Sequence, residues 1–129
     1  MDNQATSTTP EQQQLVFLLA KCRGEGETEK LYNHLQALKT YLLVYLIQKN
    51  TLTYQIQNGT VVEGNLEDHL VENCTRCVGE CKKIMRSLHK LLRMYEKGGT
   101  NSVSFRDEAT HLIGKLEQNI HRFNELLGE

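Results

Sequence analysis

Three of the four cysteines in this 129-residue chain are closely spaced, in the segment CTRCVGEC. Cys74, Cys77 and Cys81 are three and four residues apart, so a helix places all three thiols on one face. Together with Cys22 they have the composition of a zinc site with four cysteine ligands. The residue types and spacing therefore raise the question of a structural metal site or a redox site.

The same cysteines also fit a pattern typical of helix packing. Eight residues follow an unbroken 4-3 spacing, as at the a and d positions of a helix packed against other helices. They are Leu70, Cys74, Cys77, Cys81, Ile84, Leu88, Leu91 and Tyr95. Because apolar positions continue on both sides of the cysteines, and free cysteine packs as a small hydrophobic residue, we predict buried thiols without metal. A metal site and redox use are the alternatives.

No other residues suggest catalysis. The five histidines show no metal-ligand spacing, and no nucleophile elbow, phosphate-binding loop or dinucleotide motif is present. We therefore predict a protein that is not an enzyme, with no catalytic residues, no cofactor and no small-molecule ligand.

The composition favours an all-α fold. One proline in 129 residues suits long helices, and a net charge of −1 gives the whole molecule no attraction to nucleic acid or anionic lipid. No signal peptide or bilayer-length apolar segment is visible, so we expect a nuclear or cytoplasmic protein that does not bind membranes. The sequons Asn58-Gly-Thr60 and Asn73-Cys-Thr75 are interpreted as chance occurrences.

Helix start and stop residues divide the chain into four helices. Residues 1–8 are predicted to be a disordered tail, and residues 9–129 a single helical-bundle domain. Thr9 and Pro10 are typical of a helix start, and Gly24 of a helix end. A second helix is predicted to begin near Thr28.

The end of the second helix is ambiguous in the sequence. Leu52, Tyr54 and Ile56 alternate with polar residues, and Asn58-Gly59 is typical of a hairpin turn. Because an isolated two-stranded hairpin is marginal in water, we favour a helix that continues through Ile56 and ends at Gly59.

Two further helices complete the predicted fold. The third is expected to be capped by Asn65 and to run to Lys97, before Gly98-Gly99, and the fourth to start at Ser102 or Ser104. The apolar face of the fourth helix consists of Phe105, Ala109, Leu112, Leu116, Ile120, Phe123 and Leu127. Four amphipathic helices with short connections predict an up-down four-helix bundle.

The second helix has more apolar surface than the first can cover. By the rise of 1.5 Å per residue, the first spans about 22 Å and the second about 46 Å. We therefore predict that residues 42–56 line a groove filled by a partner's helices or by a second copy. The predicted partner-binding residues are Leu42, Leu43, Tyr45, Leu46, Ile47, Leu52 and Ile56.

The third helix carries a row of basic residues. Five cations at 4-4-3-4 spacing form what we call the basic stripe: Lys82, Arg86, Lys90, Arg93 and Lys97. Cations near a helix C-terminus complement its dipole, which is the simpler interpretation. The alternative is a row of contacts to the phosphates of RNA or DNA.

Several segments together resemble a known family. They are Thr28-Glu29-Lys30, Leu35, Leu42-Leu43-x-Tyr45-Leu46, Leu70-Val71-Glu72 and the stretch RDEATHLI from Arg106 to Ile113. Over residues 28–116 the chain is similar to the neuroguidin-like proteins and their small relative, the nuclear exosome cofactor. The resemblance implies a nuclear adaptor in RNA processing, whose helices pack with those of the exosome's distributive 3′-exonuclease subunit. The alternative is a four-helix signalling or scaffold module, viral or linked to host defence, with no role on nucleic acid.

Overall fold

The structure is a bundle of four helices. The computed structural model describes residues 9–59 and 68–128, and all the regular structure within them is α-helical. The helices are α1 (Pro10–Gly24), α2 (Thr28–Gln57), α3 (Asp68–Glu96) and α4 (Ser102–Leu127). Each packs against its neighbour in the chain, and α4 closes the bundle against α1. The predicted all-α four-helix fold is confirmed.

Two of the helices, α1 and α4, start with polar side chains that satisfy free backbone N–H groups. The Thr9 hydroxyl accepts a hydrogen bond from the Gln12 N–H at 3.1 Å, with Pro10 at the first helical position. For α4 the cap is Asn101, whose side-chain oxygen accepts from the Ser104 N–H at 2.8 Å. The helix thus starts at Ser102, one of the two predicted positions, and its capping residue is Asn101, which the sequence pattern did not single out.

The C-terminal part of α2, which the sequence left open between helix and hairpin, is helical. It continues through Ile56 to Gln57, and Gly59 follows in the left-handed conformation with φ +70°. The helical interpretation is therefore confirmed up to Gly59. The predicted Asn65 cap and the predicted tail over residues 1–8 lie outside the described residues.

The predicted a/d positions of α3 form the centre of the core. From Cys74 to Leu91 all six are buried, while Leu70 and Tyr95 are partly buried and pack against the same cluster. The predicted apolar face of α4 is likewise buried from Phe105 to Phe123. No helix among the described residues is both long enough and apolar enough to span a bilayer.

The loop between α1 and α2 is fixed by a side chain from α4. The Arg106 guanidinium donates to the backbone carbonyls of Glu25 and Gly26, both at 2.7 Å. The Glu25 carboxylate accepts from the Glu27 N–H at 3.1 Å and lies 2.9 Å from His34 Nε2. These two hydrogen bonds, the backbone one first, lower the pKa of the Glu25 carboxyl.

Candidate interaction surface

Three residues of the predicted partner-binding set belong to the core. Leu42 and Tyr45 are fully buried and Ile56 nearly so, with 0%, 0% and 2% of their surface exposed. Their assignment as partner-binding residues is therefore corrected: the bundle itself covers them. The prediction rested on cover from α1 alone, whereas α2 also packs along α3.

The part of α2 that extends beyond α1 packs against other helices of the bundle. The Thr9 hydroxyl lies 3.4 Å from Gln48 Oε1, so α1 begins beside Gln48. Just past that point, Lys49 is buried with its ammonium 5.9 Å from the centre of the Phe123 ring of α4. Antiparallel packing in a closed bundle thus compensates for the short α1.

The outer face of α2 carries the rest of the apolar residues. Leu43, Ile47 and Tyr54 are 50%, 56% and 67% exposed. They are four and seven residues apart, so they share one helix face, and we call them the outer stripe. Of the other predicted partner-binding residues, Leu46 and Leu52 are half-buried, with Leu46 packed against the core.

Next to the outer stripe, α2 and α3 enclose an open cleft. It has a volume of about 540 Å³. Tyr54 lines it from α2, and Gly79 and Lys82 line it from α3. The cleft therefore joins the apolar outer stripe to the first residue of the basic stripe.

Gly79 has no packing role that requires glycine. It lies in the interior of α3 with a negative φ, and a Cβ added there meets no atom within 4 Å. Glycine in a helix interior is less favourable than alanine by about 0.5–1 kcal/mol. Gly79 lines the cleft, and because it has no side chain it leaves space there.

The basic stripe is exposed along its whole length. Arg93 lies 3.9 Å from Glu96 in a surface ion pair, and the Lys39 ammonium of α2 lies 2.7 Å from His89 Nδ1 of α3. Lys39 therefore adds a further cation beside the stripe. The apolar row of α2 and the basic row of α3 meet at the cleft that Tyr54 and Lys82 line.

Sequence reasoning missed the residues that give this surface its shape. In the sequence, Tyr54 was considered only as part of a possible strand, and Gly79 was assigned no role. The signals that indicate them were present: the 4-7 spacing from Leu43 through Ile47 to Tyr54, and a glycine in the middle of a long helix. Spacing alone does not tell which α3 residues face α2.

All four thiols lie in the core, as predicted. Burial is the main cause that raises their pKa values: to about 12 for Cys81 and about 11 for Cys22, with smaller upward shifts for Cys74 and Cys77. The nearby Arg122 guanidinium partly opposes the shift of the Cys77 pKa. Within residues 9–59 and 68–128, no three histidine, cysteine or carboxylate side chains come together as a metal-binding group.

The buried thiols predict resistance to alkylation and a loss of stability at alkaline pH. The unfolded chain releases thiol protons above the ordinary pKa of 9.0, whereas the folded chain keeps those of Cys22 and Cys81 to about 11 and about 12. The free energy of unfolding should therefore fall as the pH rises from 9.0 towards these values. Iodoacetamide at about pH 8, below the ordinary thiol pKa, should label no cysteine of the native protein and all four in denaturant. Rapid labelling of the native protein would contradict the burial.

No family model, no curated protein and no solved structure matches this chain. The resemblance to the neuroguidin-like proteins therefore stays a prediction.

Proposed function

We propose that this protein is a non-catalytic helical adaptor that binds an amphipathic helix of a partner protein along α2 and α3. The apolar side of that helix lies on the outer stripe, and its acidic side faces the basic stripe. The observation that carries the proposal is the cleft between α2 and α3, which Tyr54 of the outer stripe and Lys82 of the basic stripe both line. Exposed apolar side chains arranged in a row are typical of interaction sites.

Charge gives the proposed interface its direction. The basic stripe supplies five cations, and the one anion in that part of α3, Glu96, pairs with Arg93. A helix with acidic residues on one flank therefore has a single favourable orientation on the surface, and its association should be faster at low salt. The expected partner is a protein helix or a second copy of this chain.

The family resemblance supplies a specific partner to test. It implies binding to the N-terminal helices of the exosome's distributive 3′-exonuclease subunit and a nuclear location. A signalling or scaffold module without a nucleic-acid role is the alternative, in which case another helical partner occupies the same surface. Binding of the purified exonuclease helices, measured by calorimetry, separates the two.

A second candidate function is RNA binding by the basic stripe. The observation in its favour is Tyr54, an exposed aromatic residue that lines the same cleft as Lys82 and on which a base can stack. If RNA is the ligand, its affinity should fall steeply with salt and after charge reversal of Lys82, Arg86 and Lys90. If a protein partner stays bound after those charge reversals, the protein is an adaptor that does not use RNA.

Ile47 and Val103 provide a matched pair of variants for the adaptor hypothesis. Both are exposed apolar residues, Ile47 on the outer stripe and Val103 at the start of α4. Ile47→Glu should abolish capture of partners from a native cell lysate, because it places a carboxylate in the apolar row. Val103→Glu should leave capture unchanged. Equal capture by both variants would show that the outer stripe is not the interface. Sedimentation of the purified protein tests the alternative that a second copy of this chain occupies the surface.

Gly79→Ala should stabilise the fold and weaken partner binding. The free energy of unfolding is expected to rise by about 0.5–1 kcal/mol, because alanine restricts the unfolded chain and nothing obstructs its methyl group. Gly114→Ala is the control: it lies in the interior of α4 with only a side-chain atom of Arg23 near, at 3.8 Å. It should also stabilise the protein but keep full binding. Denaturant unfolding and partner capture measure the two effects.

A further inference from the structure

Two contacts fix how α2 and α3 are aligned. The Tyr32 hydroxyl of α2 donates to the Glu96 carboxylate of α3 at 2.5 Å, and the Lys39 ammonium of α2 lies 2.7 Å from His89 Nδ1 of α3. Between these contacts the chain advances seven residues along α2 and returns seven residues along α3. The helices therefore run antiparallel with a constant offset, and each position of α2 has a corresponding level on α3.

This alignment places the outer stripe and the basic stripe mostly at different levels of the bundle. Continuing the count puts Leu43 level with residue 85 of α3 and Tyr54 level with residue 74. The cleft agrees with this count, because Tyr54 and Thr75 both line it. The basic stripe begins at Lys82 and extends away from that end of the bundle to Lys97. The two stripes therefore overlap over only about one helical turn.

Outside this overlap, each half of the surface has a single character. All residues of α2 are described, and Leu43 is the first of its large apolar residues that is exposed. The half towards Lys97 thus offers cations without an apolar row. In the other half, the α3 residues that line the cleft ahead of Lys82 are uncharged, namely Thr75, Val78 and Gly79. At 1.5 Å per residue, the outer stripe spans about 16 Å, the basic stripe about 22 Å and the whole surface about 35 Å.

We propose that this surface binds one partner helix of about 24 residues that is apolar in one half and acidic in the other. The inference rests on the proposed adaptor function and narrows it, because the partner's carboxylates are gathered towards one end of its helix. The apolar half lies across Leu43, Ile47 and Tyr54. The acidic half lies along the basic stripe from Arg86 to Lys97, and this matching of charge sets the register of the partner helix.

A second copy of this chain does not supply the matching charge. A two-fold dimer brings the same surface of both chains together. If the paired surfaces run parallel, the two basic stripes meet and repel each other. If they run antiparallel, each basic stripe meets the other chain's outer stripe, which contains no carboxylate. The charge pattern therefore favours a different protein as the occupant.

The test uses three synthetic helical peptides of about 24 residues with identical composition. Two are divided peptides, with all glutamates in the first half or all in the last half, and leucines in the other half. The third has its glutamates and leucines distributed along the whole length. The better divided peptide should bind the full chain at least about tenfold more tightly than the distributed one in calorimetry at low salt. A spin label at its acidic end should broaden the amide signals of Lys90 and Lys97 and spare that of Tyr54.

Charge exchange separates this interaction from an effect on the fold. Lys90 and Lys97 are both exposed, so the double variant Lys90→Glu with Lys97→Glu should fold as the native protein does. It should bind the divided peptide at least about fivefold more weakly. A divided peptide with lysine in place of glutamate should bind this variant more tightly than it binds the native protein.

The outcomes distinguish this inference from the adaptor function on which it rests. Equal affinity for divided and distributed peptides, no binding of any peptide up to about 1 mM, or a dimer that Ile47→Glu dissociates would overturn the inference. If Ile47→Glu still abolishes partner capture and Val103→Glu does not, the adaptor function stands without the divided partner helix. If both variants capture partners equally, the adaptor function itself fails.

Discussion

Replacing Leu42 by alanine is expected to lower the free energy of unfolding by about 2–5 kcal/mol. Leu42 is fully buried at the centre of α2, and the substitution removes apolar contact and leaves a cavity that the packed helices cannot fill. Since domains of this size are stable by only about 5–15 kcal/mol, the variant should lose a large part of its stability. Denaturant unfolding followed by circular dichroism measures the change.

The control for this prediction is the adjacent residue. Leu43 has the same side chain but is half exposed on the outer stripe, so Leu43→Ala should change stability by less than about 0.5 kcal/mol. Partner capture should show the opposite order. The Leu43→Ala variant should capture less partner than the native protein, although its free energy of unfolding is unchanged. Similar destabilisation by the two variants would contradict the assignment of Leu42 to the core and Leu43 to the surface.

Replacing Arg106 by alanine should cost about 2 kcal/mol and free the loop between α1 and α2. Its guanidinium donates to two backbone carbonyls, those of Glu25 and Gly26. Hydrogen bonds that involve a charged group are stronger than neutral ones, and both carbonyls lie in the short connection that turns the chain from α1 to α2. Hydrogen exchange should show faster exchange at Glu27 and Thr28 than in the native protein.

Arg106→Lys tests whether the forked geometry matters. Lysine keeps the positive charge but presents it at one point, so it can serve only one of the two carbonyls well. About half of the lost stability should return, and the loop should stay partly protected from exchange. Full recovery with lysine would show that charge alone, and not the paired hydrogen bonds, holds the loop.

Helix content and the interior faces of α3 and α4 were determined by the sequence. A 4-3 spacing places residues on one side of a helix whatever it packs against, since the helical repeat of about 3.6 residues is a local property. The burial of Cys74, Cys77 and Cys81 follows from the same geometry, because apolar residues of the pattern lie on both sides of them in the helix. Glycines after the helices, as at Gly59 and Gly98 with φ +70° and +72°, also act through local backbone freedom.

Only the tertiary structure decided which apolar residues of α2 are surface and which are core. The sequence shows six consecutive apolar residues from Leu42 to Ile47, and spacing alone does not tell how many sides of a helix its neighbours cover. The cleft that Tyr54 lines together with Gly79 and Lys82 depends on contacts between residues far apart in the chain. Such contacts are set by helix packing and register, which arise from the joint fit of many side chains. For this reason the sequence predicted the bundle, and only the packed bundle shows which residues form its candidate interaction surface.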